Sequence, residues 1–293
     1  MSAPKLNKLS IPTDRWSASV YSPVDIADGL DNGLDVDKYG KVVVLHPGWQ
    51  KSPKRHAKLL IKLAENGYLP LGVDTRIGHS DRQSPRSGLR RHYMTSTNNP
   101  YFPEADRAGN RWKYRRPTVL LDSLDRLNVD KRFYVGHSMG GLICALASAA
   151  DPSHTDGLII VNGACMGDSS GGVARMMKSN GNTIKGILGG ANDLGEATVS
   201  GLSSTAHTIT RPRRFMAEKQ LAQQVDAWEE VDKLEGLVDT TVMHARNDEL
   251  IDFADTADSA RLRPWVSFVP TEGGHDNVYQ DAIHELIINT LAA

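Results

Sequence analysis

Hydrophobic and polar positions along the 293-residue chain change period several times. Short runs of β-branched and aliphatic residues alternate with stretches whose apolar positions recur every three or four residues. That alternation predicts an α/β fold, a mostly parallel twisted sheet with helices on both faces. Lys41 to Leu45 reads as a strand buried on both sides, because its apolar run is continuous rather than alternating. Tyr68 to Val73, Arg132 to Val135, Gly157 to Val161, Thr240 to Ala245 and Trp265 to Pro270 are predicted as further strands. Leu9 to Pro12 and Trp16 to Tyr21 are predicted as an antiparallel edge. Ser52 and Pro53 open a helix, with Leu59, Leu60 and Leu63 on its apolar face and Gly67 beyond its end. Helices are also predicted over Thr118 to Leu127, Met139 to Ala150 and about Phe215 to Leu234. A closing amphipathic helix is marked by Ile283, Leu286, Ile287 and Leu291.

Two stretches fit this rhythm badly. Asp81 to Arg116 is a long polar connection holding Arg82, Arg86, Arg90, Arg91, Arg107, Arg111, Lys113, Arg115 and Arg116. Loops of that length are usually functional, so it reads either as the lining of a site for anionic substrates or as a solvated excursion. The second stretch, 163–214, is rich in Gly, Ser, Thr and Met and lies between two predicted strands. It is predicted to be a lid or cap inserted in a single domain spanning 1–293.

Composition narrows the function classes. The chain is 40% hydrophobic and 24% charged, and 34 basic residues balance 35 acidic ones. A net charge of -1 supplies no basic field for generic nucleic-acid binding. The N-terminal residues show no secretory signal, and the longest uncharged apolar run, Gly141 to Ala150, is about half a membrane span. Cys144 and Cys165 form neither a disulfide framework nor a Cys-x-x-Cys pair, so a cytoplasmic protein without a metal site is expected. The acidic stretch Asp25 to Asp37 lacks the alternating oxygen ligands and final Glu of a calcium loop.

Gly136-His137-Ser138-Met139-Gly140-Gly141 fits the G-x-S-x-G pattern of a nucleophile elbow. In a chain with 26 glycines the pattern alone has little specificity, and Gly167-Asp168-Ser169-Ser170-Gly171 satisfies it as well. Context separates them. Ser138 stands between a predicted strand and an immediate helix, as an elbow requires, whereas Ser169 falls in a polar stretch several residues past its strand. A serine hydroxyl needs a base, and the base needs an orienting acid. Downstream, Asp248 follows one predicted strand, with Glu249 and Asp252 as competitors, and His275 follows the next, with His284 as a competitor on a helix. His137 is expected to pack rather than to act as a second base, and Cys144 to be an inert core thiol.

In these motifs and their order the chain resembles the α/β-hydrolase superfamily, in its serine esterase and lipase-like branch, from about Lys41 onward. Gly136 to Gly141 resembles the family's elbow. Asp74-Thr75-Arg76-Ile77-Gly78-His79-Ser80 is similar to the D-x-R-G-x-G-x-S stretch, although Ile77 replaces a glycine and His79 separates Gly78 from Ser80. His46-Pro47-Gly48-Trp49 resembles the His-Gly oxyanion loop with a proline inserted or substituted.

The resemblance implies a Ser138, Asp248 and His275 triad and hydrolysis of a small-molecule carboxylic ester through an acyl-enzyme, without a cofactor. Backbone N–H groups of Met139 and of Trp49 would meet the oxyanion, with Gly48 the alternative to Trp49, since Pro47 has none to give. Met166, Met176 and Met177 either line an acyl pocket or pack the core. A thioesterase, a peptidase or a binding protein retaining the scaffold are the alternatives. Halide-releasing relatives place a carboxylate where this chain has Ser138.

Overall fold

A computed structural model describes residues 5–12, 17–49, 51–75, 101–102, 111–166 and 225–293. In chain order its elements are β1 (Asn7–Pro12), β2 (Ser17–Ser22), β3 (Val42–His46), α1 (Ala57–Glu65) and β4 (Leu69–Asp74). There follow α2 (Arg111–Arg126), β5 (Arg132–His137), α3 (Met139–Ala150), β6 (Thr155–Val161) and α4 (Ala227–Asp232). The chain closes with β7 (Asp239–Ala245), α5 (Phe253–Arg261), β8 (Val266–Thr271) and α6 (Asp281–Ala292).

The eight strands form one sheet in the order β1-β2-β4-β3-β5-β6-β7-β8. The first two are antiparallel to each other, and β2 is antiparallel to β4. From β4 through β8 every pairing is parallel. Strand periodicity divides the core in two. Val42, Val44, Leu158 and Ile160 point to the face covered by α2, α3 and α4. Their neighbours Val43, Leu45, Ile159 and Val161 point to the face covered by α1 and α6. Because both faces are covered, no strand in the middle needs a polar side, and the continuous apolar runs follow. Each fully buried Leu or Ile contributes roughly 1.5–3 kcal/mol of transfer free energy.

Local signals explain most boundaries. Ser52 accepts a hydrogen bond from the Lys54 N–H at 3.4 Å and starts a 3-10 turn that runs into α1. Gly67, at φ +82°, turns the chain out of α1 toward β4.

Three expectations change. The basic stretch does not stay irregular to Arg116, because α2 begins at Arg111. Pro117 lies inside this helix and forfeits one backbone bond, while the Thr118 hydroxyl donates to the Tyr114 carbonyl at 2.7 Å. Tyr114 stacks on Phe102 and anchors that turn. Arg116 is buried, and its Nε donates to Thr75 Oγ1 at 3.0 Å, which braces the interior.

The helix expected over about Phe215 to Leu234 is, in its described part, the shorter α4. Asp226 has extended dihedrals and caps α4 by accepting from the Trp228 N–H at 2.9 Å, which stops helical backbone from continuing toward Val225. The third change is α5, which no periodicity announced. Its start is set by Asp252, whose Oδ1 accepts from Ala254 and Asp255 N–H groups.

The lid expected over 163–214 lies outside the described residues from 167 onward, as do Ser169, Met176, Met177, Arg90 and Arg91. Among the described residues, no helix is long and apolar enough to cross a membrane. No cluster of three or more His, Cys, Asp or Glu there has metal-binding geometry.

Candidate active site

The carboxyl ends of β3, β5, β6, β7 and β8 all lie along one border of the sheet. The chain crosses from β4 back past β3 to reach β5, so the strand order reverses at that point, where open α/β sheets form their crevices.

Ser138 is the single residue between β5 and α3, at φ 54° and ψ -123°. A non-glycine side chain in that region is strained, and neighbouring contacts hold it there. Its N–H donates to the Val161 carbonyl at 2.9 Å, and its carbonyl accepts from Gly141 at 2.9 Å and Ala164 at 3.1 Å. The turn closes only because its flanks lack side chains. A Cβ on Gly136 would stand 2.5 Å from the Gly140 carbonyl oxygen, and one on Gly140 would stand 2.1 Å from the His46 carbonyl oxygen.

That contact brings the loop after β3 over the elbow. Gly48 also lies against it, since a Cβ there would be 3.2 Å from Ser138 Cβ. A buried polar chain braces the loop from below. Arg116 donates to Thr75, whose hydroxyl lies 2.9 Å from His46 Nε2, and His46 Nδ1 lies 3.0 Å from the Pro47 carbonyl. Because a carbonyl only accepts, Nδ1 carries the His46 proton and Nε2 accepts from Thr75 when the ring is neutral.

Facing Ser138 are two turns. His275, four residues past β8, places Nε2 2.9 Å from Ser138 Oγ. Its Nδ1 lies 2.8 Å from Oδ2 of Asp248, three residues past β7. The Asp248 side chain is fully shielded from solvent, and its Oδ1 accepts from the Leu250 and Ile251 N–H groups at 2.8 and 2.9 Å. His244 Nε2 stands 3.6 Å from the same carboxylate. Beyond the strands the two turns remain zipped, Arg246 N–H to the Thr271 carbonyl and Asn247 N–H to the Gly273 carbonyl.

Burial opposes charge on both members of the His275–Asp248 pair, yet their mutual hydrogen bond and attraction outweigh it. The Asp248 carboxyl is held below its usual range and the His275 imidazole is raised above its own. His137 is the contrast. Burial first, and then the neighbouring His275, push it down to about 4, so it is neutral at pH 7.

The structure therefore brings Ser138, His275 and Asp248 into one hydrogen-bonded line and separates the competing acids. Glu249 accepts from the His275 backbone N–H at 3.2 Å, and Asp252 caps α5. His284 is not a surface residue as its helix position suggested. It is buried, with Nε2 3.0 Å from the Val278 carbonyl, because the turn leading into α6 folds back over it. Met139 is buried at the first position of α3, and Trp49 lies partly buried against the core. Cys144 is a buried thiol whose ionisation burial suppresses. Met166 is fully buried in the core, and its carbonyl accepts from Trp228 Nε1 at 2.8 Å.

One residue of this site escaped the sequence reading. Asn162 follows β6 at φ 48° and is fully buried among the two turns. An asparagine after a strand looks like turn punctuation, and only its positive φ without glycine sets it apart.

Comparison with known proteins agrees with this architecture. Residues 41–180 match the family model of the alpha/beta hydrolase fold. The structure is similar over 98% of both chains to a carboxylesterase of the thaumarchaeon Nitrososphaera gargenis, with 18% identity and a TM-score of 0.65. It is also similar to the enol-lactonase of Burkholderia xenovorans, with 14% identity, 97% of this chain, 100% of that chain and a TM-score of 0.65. A third similar structure is 2-hydroxy-6-oxo-6-phenylhexa-2,4-dienoate hydrolase of a Rhodococcus strain, with 14% identity, 99% of both chains and a TM-score of 0.65.

Among curated proteins, a Mycobacterium phage protein named "Putative non-heme haloperoxidase" is 24% identical over 144 residues. That match spans 49% of this chain and 44% of the relative, less than half of either. Together these likenesses show that the chain has the α/β-hydrolase fold.

Proposed function

We propose that this protein is a serine hydrolase that cleaves small-molecule carboxylic esters through an acyl-enzyme intermediate. The observation that supports it most is the unbroken line Ser138 Oγ, His275 Nε2, His275 Nδ1, Asp248 Oδ2, with contacts of 2.9 and 2.8 Å, on a strained elbow. Ser138 Oγ attacks the substrate carbonyl carbon while His275 Nε2 takes its proton. The tetrahedral intermediate collapses, the bond to the leaving oxygen breaks, and the imidazolium returns the proton to that oxygen. Water repeats the sequence on the acyl-enzyme and restores Ser138.

Asp248 holds the Nδ1–H tautomer and stabilises the imidazolium. The developing oxyanion is met by the Met139 N–H at the amino end of α3 and by the Trp49 N–H, with Gly48 as the alternative donor. The ester is the leading substrate class and the thioester its alternative, since similar structures include a carboxylesterase, an enol-lactonase and a thioesterase domain. The buried thiols Cys144 and Cys165 accord with a reducing, cytoplasmic compartment.

A fluorophosphonate with intact-mass and peptide mapping tests this reading. One phosphonyl group on Ser138, absent from Ser138→Ala and slowed by roughly six orders of magnitude in His275→Ala, is the expected result. No adduct on the folded protein, or an adduct elsewhere, overturns it. Esters, thioesters and amides of one acyl group then rank the substrate classes.

A further inference from the structure

The two turns that bear the base and the acid share one buried side chain. Both hydrogens of the Asn162 amide are used, one donated to the His275 carbonyl at 2.7 Å and one to Asn277 Oδ1 at 2.8 Å. Its oxygen accepts from the Ala245 N–H at 2.8 Å. The amide orientation is fixed by chemistry, since a carbonyl must receive a donor and a backbone N–H an acceptor. Ala245 is the last residue of β7, and its carbonyl accepts from the Asp248 N–H at 3.2 Å, so the acid turn begins there. Asn277 in turn donates to Thr271 Oγ1 at 2.9 Å and to the Glu272 carbonyl at 2.7 Å, binding the base turn to β8. A second donor reaches the same His275 carbonyl, His137 Nε2 at 3.0 Å.

We infer that Asn162 is a positioning residue, which joins the end of β7 to the backbone of His275 and so sets the reach of His275 toward both Asp248 and Ser138. Its role rests on the triad reading above. It touches no reacting atom and acts through the spacing of the other two turns. A buried amide with all three of its bonds made is costly to disturb, because each lost partner leaves a desolvated group unpaired. The isosteric change Asn162→Asp keeps the acceptor for Ala245 and removes both donors, setting an oxygen against the His275 carbonyl. Asn162→Gly removes the amide altogether and fits the positive φ without strain.

The test measures two quantities on the whole chain and both variants. One is the rate of Ser138 phosphonylation across pH. The other is the titration of ring-labelled His275 followed by NMR, including its Nδ1–H resonance. With circular dichroism and a cooperative melt retained, the variants are expected to phosphonylate roughly a hundredfold more slowly. In Asn162→Gly the His275 titration is expected to move down in pH with loss of the downfield Nδ1–H signal, because the bond to Asp248 that raises it is weakened. Asn162→Asp adds a carboxylate that opposes this shift, and is read by its phosphonylation rate and its Nδ1–H signal. A purely structural role would lower the melting temperature and leave the titration where it was.

Folded variants with unchanged titration and unchanged phosphonylation overturn the inference. If Asn162→Asp does not fold, Asn162→Gly decides by the same readouts. If the unaltered chain takes no phosphonyl group at all, the nucleophile reading fails, and the NMR titration alone still decides for or against Asn162.

Discussion

The two sides of the Ser138–His275 contact are built by different means. On the nucleophile side everything is local and steric. A strand, one residue and a helix follow one another directly, and Gly136 and Gly140 pack so closely that no side chain fits. On the other side, His275 and Asp248 stand on turns after separate strands, held by hydrogen bonds that Asn162, Asn277 and His137 donate and one that Glu249 accepts. A sterically built half fails by unfolding or shifting backbone. A hydrogen-bonded half fails by degrees, through altered distance and altered protonation, while the fold survives.

That contrast is open to attack, beginning where the effect is largest. Asp248→Asn should lower the phosphonylation rate by roughly 10⁴-fold, since the imidazole loses its tautomer partner. Reactivity in the unaltered chain requires neutral His275 and falls as pH drops through a pKa raised above the ordinary histidine value. Without the carboxylate, burial prevails and the acid limb should move to lower pH, which a rate–pH profile reads directly.

Gly140→Ala should act through the fold instead. A Cβ 2.1 Å from the His46 carbonyl oxygen forces backbone movement, at a cost of about 1–3 kcal/mol or more, visible as a lowered denaturant midpoint. The acid limb of whatever activity survives should not shift, because no titrating partner has changed. Glu249→Gln keeps an acceptor for the His275 N–H and should reduce the rate by less than about tenfold.

The smallest effect is expected at His56. Both of its ring nitrogens lack a hydrogen-bond partner among the described residues, and burial holds its pKa well below the ordinary value. A depressed histidine pKa means that stability is lost as pH falls below about 6.5, where the unfolded chain takes up the proton. His56→Phe should leave stability at pH 7 unchanged or raise it by about 1 kcal/mol, and flatten its decline between pH 7 and pH 5. Thermal melts at the two values check this.

The steric half was also the half legible in the amino-acid order. Continuous apolar runs exposed the central strands, and Met139 to Ala150 declared its helix to the residue. Chain order pointed to Asp248 and His275, though it could not exclude Glu249 or Asp252, because three acids within five residues look alike until their hydrogen bonds are seen. What stayed hidden depends on contacts distant in sequence. Asn162 bonds residues 83, 113 and 115 positions away. The helix α5 buries only Thr256, Ala257 and Ala260, too little apolar surface to print a period. The start of α2 was masked by a run of basic residues and by Pro117, which reads as a beginning and lies in the middle.

The position of β8 at the border of the sheet has a consequence for timing. A chain made from its amino end holds the finished elbow long before residue 275 exists. On the function proposed above, Ser138 then has no base until the last strand is laid beside β7. A growing or incompletely folded chain should therefore take no phosphonyl group, and reactivity should arrive as one of the final acts of folding.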